Sequence, residues 1–177
     1  MKILETERLV LRRLTTDDAP FIVRLLNDPD WLRFIGDKSV RTLGEAREYL
    51  RNGPIAMYAR EGFGLFLTAL KDGDVPIGLC GLIRRDGLSD VDIGFAFLPA
   101  FRGQGHALES AVGMVSHARA TLGLDRIVAI ASVDNDSCAR LLARLGFRRE
   151  RLVRLPGDTE DLQLFASQSP DPAANPP

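Results

Sequence analysis

The sequence predicts a mixed α+β domain with one mostly antiparallel sheet of seven strands and about four helices. Apolar runs of strand length, bounded by Gly, Pro and Asp turns, alternate with segments whose apolar residues recur at helical spacing. Three of these runs follow one another through short turns, as in an antiparallel meander. A long helical segment separates the next two runs, and a helical crossover makes the strands that it joins parallel. One parallel pair therefore lies at the centre of the predicted sheet.

The strands are predicted from apolar or alternating runs that stop at turn residues. Lys71-Asp72-Gly73-Asp74 joins the second strand to the third, and Arg85-Asp86-Gly87 leads into the fourth. The seven strands are expected at residues 8–14, 64–70, 76–83, 91–98, 127–133, 147–153 and 162–165.

The helices are predicted from capping residues ahead of amphipathic segments. Thr16-Asp17-Asp18 caps the first helix, which we expect to stop at Pro29. Thr42 and Glu45 have capping-box spacing for the second helix, which Asn52-Gly53-Pro54 is expected to end. The third helix is expected to end at Leu122, and the fourth to begin after Asp134 or Asn135 and to end at Gly146.

Length and composition favour one soluble globular domain. The chain has 177 residues, of which 45% are apolar and 27% charged, and its formal net charge is −1. That charge provides no general attraction for nucleic acid or an anionic membrane, so neither is expected as a partner. No apolar run approaches the length of a transmembrane helix, and a cytoplasmic location is the default expectation. We assign residues 1–166 to the domain and expect the Pro-rich residues 167–177 to form a flexible tail.

Several residue types that often carry function are interpreted here as structural. Cys80 and Cys138 lack a CxxC or CxxH arrangement and are expected to be free thiols. His106 and His117 have no second ligand at a familiar spacing, so no metal site is predicted. A cluster of arginines is interpreted as a solvated basic face, because few aromatic residues interleave with it. The cluster comprises Arg140, Arg144, Arg148, Arg149, Arg151 and Arg154.

The segment from Val91 to Ala107 is the most specific functional signal in the chain. Its apolar strand ends at a proline and helical spacing follows, so residues 102–107 lie at a helix N-terminus. The first turn of a helix has unpaired N–H groups and the positive end of the helix dipole. Gly103 and Gly105 let the backbone close around an anion, and Arg102 adds charge. This pattern predicts a site for a phosphorylated ligand such as a pyrophosphate.

Three segments in order carry a family resemblance: TERLVLRRLTTDDAPFIVRLLNDPD, DIGFAFLPAFRGQGHA and NDSCARLLARLGF. They resemble the GNAT superfamily of N-acetyltransferases, and within it the RimJ/RimL-like branch that includes ribosomal-protein N-acetyltransferases. The loop of that superfamily has Gln or Arg, two residues, Gly, one residue, then Gly or Ala, and Arg102, Gly105 and Ala107 match it. The resemblance covers nearly the whole domain. It implies the GNAT fold, with the central parallel strands splayed at the acyl-CoA site.

The resemblance implies acetyl-CoA as the cosubstrate, with no metal. The loop backbone would hold its pyrophosphate, the splayed strands its pantetheine, and a main-chain N–H near the end of the first central strand the oxyanion. As local features alone, the glycines also suit a tight turn, Asn135 a helix cap, and Phe97 and Leu98 the core. The cofactor-binding residues implied are Phe97, Leu98, Arg102, Gly103, Gln104, Gly105, His106, Ala107 and Asn135.

The resemblance also supplies candidate catalytic groups. Asp92 occupies the position, two before Gly94, where relatives of this branch often carry an acid, and it is the candidate general base; an exposed polar position on a strand is the alternative. Many superfamily members place a tyrosine seven residues after the asparagine, where this chain has Leu142. Ser137 and Cys138 remain as candidates to orient the sulfur or a water, although Cys138 on an apolar face also suits packing. We expect no covalent acetyl-enzyme, because a thiol of ordinary pKa is a slow nucleophile.

Two further groups of residues have both a functional and a structural interpretation. Trp31, Phe34 and Tyr49 lie in the helical region that shapes the acceptor side in relatives, and core packing explains them equally well. Arg140 and Arg144 are four residues apart on the last helix and form a basic face, either for the 3′-phosphate of coenzyme A or for solvent.

The expected function is acetyl-CoA-dependent N-acetyl transfer to a primary amine, by direct attack in a ternary complex. A protein or peptide N-terminal α-amine is one candidate acceptor. The alternative is a non-catalytic acyl-CoA-binding sensor or regulatory domain, because the usual tyrosine is missing. A nucleotide-binding module is a third alternative, although the chain lacks the lysine and Ser or Thr of a P-loop. Dimers are common among relatives, so a homodimer is left open.

Overall fold

The computed structural model describes residues 1–168 and contains a single mixed sheet. Its strands are β1 (Lys2–Glu5), β2 (Leu9–Arg13), β3 (Leu65–Leu70), β4 (Pro76–Ile83), β5 (Val91–Phe97), β6 (Ile127–Ser132), β7 (Phe147–Val153) and β8 (Leu162–Ser167). They lie in the order β1-β2-β3-β4-β5-β6-β8-β7. All neighbours are antiparallel except β5 and β6, which are parallel. The predicted mixed α+β class with one central parallel pair is confirmed.

The eighth strand is β1, which the sequence prediction of seven strands missed. It pairs with β2 at the edge of the sheet, with Leu4 opposite Leu11. Only four residues form it, and its outer two, Lys2 and Glu5, are exposed and joined by an ion pair. A strand so short and charged has no apolar run that would distinguish it from a loop.

In the described residues six α-helices accompany the sheet, two more than expected. They are α1 (Ala19–Leu26), α2 (Pro29–Phe34), α3 (Leu43–Leu50), α4 (Ala56–Glu61), α5 (His106–Leu122) and α6 (Asp136–Arg144). The first helix ends at Leu26, shortly before Pro29, but Pro29 also begins the unpredicted α2. Asp28 caps α2 by accepting from the N–H of Asp30 and Trp31. Proline is favoured at the first position of a helix, where its missing N–H removes no hydrogen bond.

The sequence Asn52-Gly53-Pro54 does not end the second predicted helix, contrary to expectation. The chain continues from α3 through a wider π-helical turn, Arg51–Ile55, directly into α4. In a π turn each N–H bonds to the carbonyl five residues back instead of four. This wider turn tolerates a proline, which has no N–H to donate. The helical region ends at Gly62, whose φ of 79° lies in the left-handed region.

Helices cover both faces of the sheet. On one face, Ala111, Met114 and Ala118 of α5 are fully buried in a cluster with residues from β2 to β6. On the other face, α1, α2 and α3 pack against β3 and β4 in a second cluster. Ile55 and Phe101 pack against both clusters, so the segment ahead of α5 contacts both layers.

The last strand reaches one residue into the predicted tail of residues 167–177. The Ser167 hydroxyl accepts a hydrogen bond from the Ile127 N–H at 3.0 Å, which ties β8 to the start of β6. The rest of that predicted tail, residues 169–177, lies outside the described residues. Along residues 1–168, no helix combines the length and apolar character needed to cross a bilayer.

Tyr58 on α4 provides a test of how this unpredicted helix is held. Its hydroxyl accepts from the Leu14 N–H at 3.1 Å and donates to the Leu65 carbonyl, and its ring stacks on Phe66 with centroids 5.3 Å apart. Tyr58→Phe leaves two buried backbone groups without a partner, so we expect the free energy of unfolding to fall by about 1–3 kcal/mol. Urea denaturation measures this change. Tyr49→Phe removes a hydroxyl that bonds no described residue and should shift the midpoint far less; equal shifts would contradict the account.

Candidate active site

The central strands part after a short shared segment. β5 and β6 pair only at Val91 with Ile127 and at Asp92 with Val128. Beyond that point β6 remains paired with β8, whereas residues 94–96 of β5 become partly exposed. The gap opens into a cavity of about 810 Å³ that is bounded by the loop before α5, by α6 and by the α2–α3 region. The splay implied by the resemblance is therefore present.

The loop before α5 presents an open backbone to this cavity. Gly103 and Gly105 adopt φ of 71° and 81°, a left-handed conformation that other residues rarely adopt. Gly105 also precedes the first residue of α5. Within the described part of the chain, no backbone N–H from residue 103 to residue 108 donates to a protein acceptor. These groups, at the positive end of a 17-residue helix, suit an anion.

Arg8 holds this loop in place, and sequence analysis did not identify it. Its guanidinium donates to the Gln104 carbonyl at 3.0 Å and to Glu109 Oε2 at 2.7 Å. Glu109, in the first turn of α5, also accepts from the Thr6 hydroxyl and from the Arg8 N–H. No local pattern reveals these contacts, because about a hundred residues separate the partners. The turn between β1 and β2 thus clamps the loop and the start of α5.

The side chain of Arg102 is directed differently from the sequence expectation. Its guanidinium donates to the Phe97 carbonyl at 2.8 Å and forms ion pairs with Asp28 and Asp30 at the start of α2. Two carboxylates therefore balance its charge, so it adds little positive potential to the loop. The arrangement joins the loop to the end of β5 and to α2.

The other side chains of the loop stabilise its shape. Gln104 donates to the Ala100 carbonyl at 2.8 Å, and the ring of the buried His106 lies 3.2 Å from the Phe101 carbonyl through Nδ1. Ala107 lines the cavity. The backbone N–H groups of this segment, and not these side chains, are therefore the groups left open to the cavity.

Asn135, Ser137 and Cys138 come together at the start of α6, and all three line the cavity. The Asn135 side-chain oxygen caps α6 by accepting from the Cys138 N–H at 3.1 Å. Ser137 is exposed, while Cys138 is half-buried. Burial, reinforced by the charge of Asp92, raises the pKa of the Cys138 thiol to about 11. That thiol is neutral at physiological pH and a poor nucleophile.

The two backbone donors named from sequence differ in availability. The Leu98 N–H donates to the Ile77 carbonyl at 2.9 Å, so it is occupied and does not fit the oxyanion role. Successive N–H groups of a strand point to opposite sides, and the Phe97 N–H therefore faces the side from which β6 has departed. The Phe97 carbonyl, which points the same way, is reached by Arg102 rather than by a strand.

Asp92 is buried in the cavity wall, and the alternative of an exposed polar position was wrong. Only 1% of it is exposed, and Arg85 Nε lies 2.5 Å from its Oδ2. Burial raises the pKa of Asp92 to about 6, although the charge of Arg85 acts in the opposite direction. Its other oxygen, Oδ1, is buried and has no hydrogen-bond partner among residues 1–168. The nearby Ile130 N–H also favours the charged form without reaching hydrogen-bond geometry.

An aromatic wall formed by Trp31, Phe34 and Tyr49 bounds part of the cavity. Trp31 and Tyr49 also pack in the second core cluster. The Ser132 hydroxyl donates to the Phe34 carbonyl at 3.1 Å, which joins the end of α2 to the end of β6. On the α6 side, Arg140 and Arg144 line the cavity, which places cations beside it as well as in solvent.

Glu109 provides a test of the clamp. Although burial opposes it, hydrogen bonds from Thr6 and Arg8 lower the pKa of Glu109. A lowered folded pKa stabilises the protein above the ordinary pKa of the group, and this contribution is lost as pH falls through the lowered value. We expect Glu109→Gln to cost about 1 kcal/mol near pH 7, discounted for the exposure of Arg8, and less under acid conditions. Urea denaturation at several pH values measures this; the exposed Glu48→Gln is the control, and a pH-independent loss would contradict the account.

Comparison with known proteins identifies the family. The model of the acetyltransferase (GNAT) domain matches residues 8–148. The chain is 29% identical over 154 residues to the uncharacterized N-acetyltransferase YoaA of Bacillus subtilis, covering 86% of each protein. It superposes on an acetyltransferase from Agrobacterium tumefaciens with a TM-score of 0.80 and 25% identity, covering 96% of this chain and 95% of the other. It also superposes on RimL, a ribosomal alpha-N-protein acetyltransferase in complex with coenzyme A, with a TM-score of 0.79 and 21% identity over 94% and 97% of the two chains. The chain belongs to the GNAT acetyltransferase family and is an acetyl-CoA-dependent acyltransferase.

Proposed function

We propose that this enzyme transfers an acetyl group from acetyl-CoA to the α-amine of a peptide or protein N-terminus, by direct attack in a ternary complex. The observation that carries the proposal is Asp92. It is a buried carboxylate with one unpartnered oxygen, lying in a cavity between an anion-binding loop and an aromatic wall.

The cosubstrate side of the cavity fits coenzyme A. The open N–H groups of residues 103–108 suit a pyrophosphate, and Arg8 holds the loop that carries them through its hydrogen bond to the Gln104 carbonyl. The facing edges of β5 and β6 beyond Asp92 suit the amide groups of pantetheine, since backbone groups at such an edge need hydrogen-bond partners. Asn135 and Cys138 line the same space. Among residues 1–168, Arg140 and Arg144 are cavity-lining cations suited to the 3′-phosphate.

When bound, acetyl-CoA supplies an activated acetyl group and a thiolate leaving group. The Phe97 N–H, on the open side of β5, is the donor suited to the developing oxyanion. A thiolate is a good leaving group, so the absence of the usual tyrosine at Leu142 costs little. Ser137 remains available to orient the sulfur or a water. Cys138 forms no acetyl-enzyme, because its thiol stays protonated.

The basicity of Asp92 favours an α-amine over a lysine side chain. An α-ammonium has an ordinary pKa of about 7.7–8.0 and a lysine ammonium about 10.4. Proton transfer to a carboxylate of pKa about 6 is then less unfavourable for the former than for the latter. Asp92 is therefore an adequate base for an α-amine and a poor one for lysine. RimL, which has the same fold, is an alpha-N-protein acetyltransferase, and this supports the same acceptor class.

Asp92→Asn tests the base. We expect the rate to fall by about 10²–10⁴-fold for a peptide α-amine, because the proton acceptor is lost while the amide keeps nearly the same size. The wild-type profile of kcat/KM should show an acid limb near pH 6, set by deprotonation of Asp92, and the variant should lack it. Coenzyme A affinity by calorimetry serves as the control for folding. If Asp92→Asn keeps the acid limb at the wild-type pH, that ionisation belongs to a group other than Asp92.

The acceptor class is tested by thiol release with a panel of amines at one pH. The panel contains peptides with free and N-acetylated termini, a lysine-containing peptide with a blocked terminus, a polyamine and a free amino acid. We expect the peptides with free α-amines to have the highest kcat/KM. Faster turnover of the blocked lysine peptide or the polyamine would exclude an N-terminal acceptor while leaving the acyltransferase assignment intact.

A further inference from the structure

Arg85 lies where it can control the orientation of Asp92. In the sheet, Ile83 at the end of β4 pairs with Asp92 at the start of β5. The chain turns after Ile83, and this turn brings the Arg85 guanidinium back over the strand to Asp92 Oδ2, at 2.5 Å from Nε. Both side chains line the cavity, and that of Arg85 is 32% exposed.

The contact uses only one of the two carboxylate oxygens. A carboxylate rotates easily about its last bond, because that torsion is broad and nearly two-fold. One short charged hydrogen bond to Oδ2 stops this rotation and leaves Oδ1 in a fixed direction. Oδ1 is fully buried and has no partner among the described residues. A buried acceptor of this kind needs a donor, and a substrate N–H is a suitable one.

We propose that Arg85 is a positioning residue for the reaction: it holds one oxygen of Asp92 so that the other is presented to the acceptor amine. This inference rests on the proposed function, in which Asp92 is the base. Arg85 itself touches no reacting atom. The neutral amine nitrogen forms a bond to the acetyl carbon and gives a proton to Asp92 Oδ1, while the carbon–sulfur bond breaks and its electron pair leaves with the coenzyme A thiolate.

The same contact keeps Asp92 charged in a buried site. The groups facing it are the Arg85 guanidinium from the β4–β5 turn, the Ile130 N–H from β6 and the neutral Cys138 thiol from α6. Tyr49 of α3 lies near enough to Arg85 to feel its charge, while burial keeps its hydroxyl protonated. Arg85 thus provides the positive charge that opposes the desolvation of Asp92. Removing that charge raises the pKa of Asp92 further.

The test is the pH profile of kcat/KM for Arg85→Gln with a peptide α-amine. We expect the acid limb to move to higher pH by about one unit or more, with activity partly recovered above the new limb. Arg84→Gln is the matched control, because Arg84 is next in sequence and interacts with Ser89 and Glu61 instead of Asp92. Its limb should match wild type. A loss of stability alone lowers activity without moving the limb, so the profile separates positioning from folding.

A wild-type limb in Arg85→Gln overturns the proposal. Asp92→Asn, measured beside it, separates this result from failure of the proposed function: if that variant lacks the limb, Asp92 remains the base and only the role of Arg85 is wrong. If Asp92→Asn keeps the acid limb, both the assignment of Asp92 as the base and the positioning role of Arg85 are wrong. Should Arg85→Gln not fold, Arg85→Lys keeps the charge but loses the planar donor, and kcat should fall about fivefold or more with coenzyme A affinity unchanged. An unchanged kcat contradicts the proposal.

Discussion

The two central strands β5 and β6 are hydrogen-bonded only where Val91 and Asp92 meet Ile127 and Val128, and the rest of the site depends on their divergence. A fully paired sheet at this point would leave no cavity. Because β6 keeps its pairing with β8, the strand stays ordered while its other edge is open. Asp92 is the last residue of β5 that pairs with β6, so the candidate base lies at the point where the cavity begins.

The loop before α5 is positioned by the chain on either side of it. On one side, Arg8 and Glu109 connect the β1–β2 turn to the first turn of the helix. On the other, Arg102 connects the loop to the start of α2 and to Phe97. An anion site made from backbone N–H groups has little side-chain chemistry of its own, so its geometry depends on such supports. A preorganised backbone binds without a further ordering cost.

The sequence predicted those parts of the fold and site that local patterns encode. The α5 junction, the Asn135 cap and every strand of residues 1–168 except the short edge strand β1 follow from periodicity and capping residues, and the structure contains them. It did not predict α4, because the breakers Asn52-Gly53-Pro54 are accommodated by a π turn. It also did not predict the partners of Arg102 or the contact of Arg85 with Asp92. Those contacts depend on which distant segments the sheet brings together, and the spacing of residues along the sequence does not reveal this. Only burial, seen in the folded chain, distinguishes Asp92 from a surface acid.

The sheet has two open edges, and their chemistry limits how copies of this enzyme can associate. At one edge, β1 is only four residues long and carries Lys2 and Glu5. At the other, β7 exposes residues 148–152, among them Arg148, Arg149 and Arg151, and its pairing with β8 shifts register between Arg149 and Arg151. Short strands, charges and bulges all oppose pairing with another strand. Part of the arginine cluster therefore disfavours edge-to-edge pairing between copies of this enzyme.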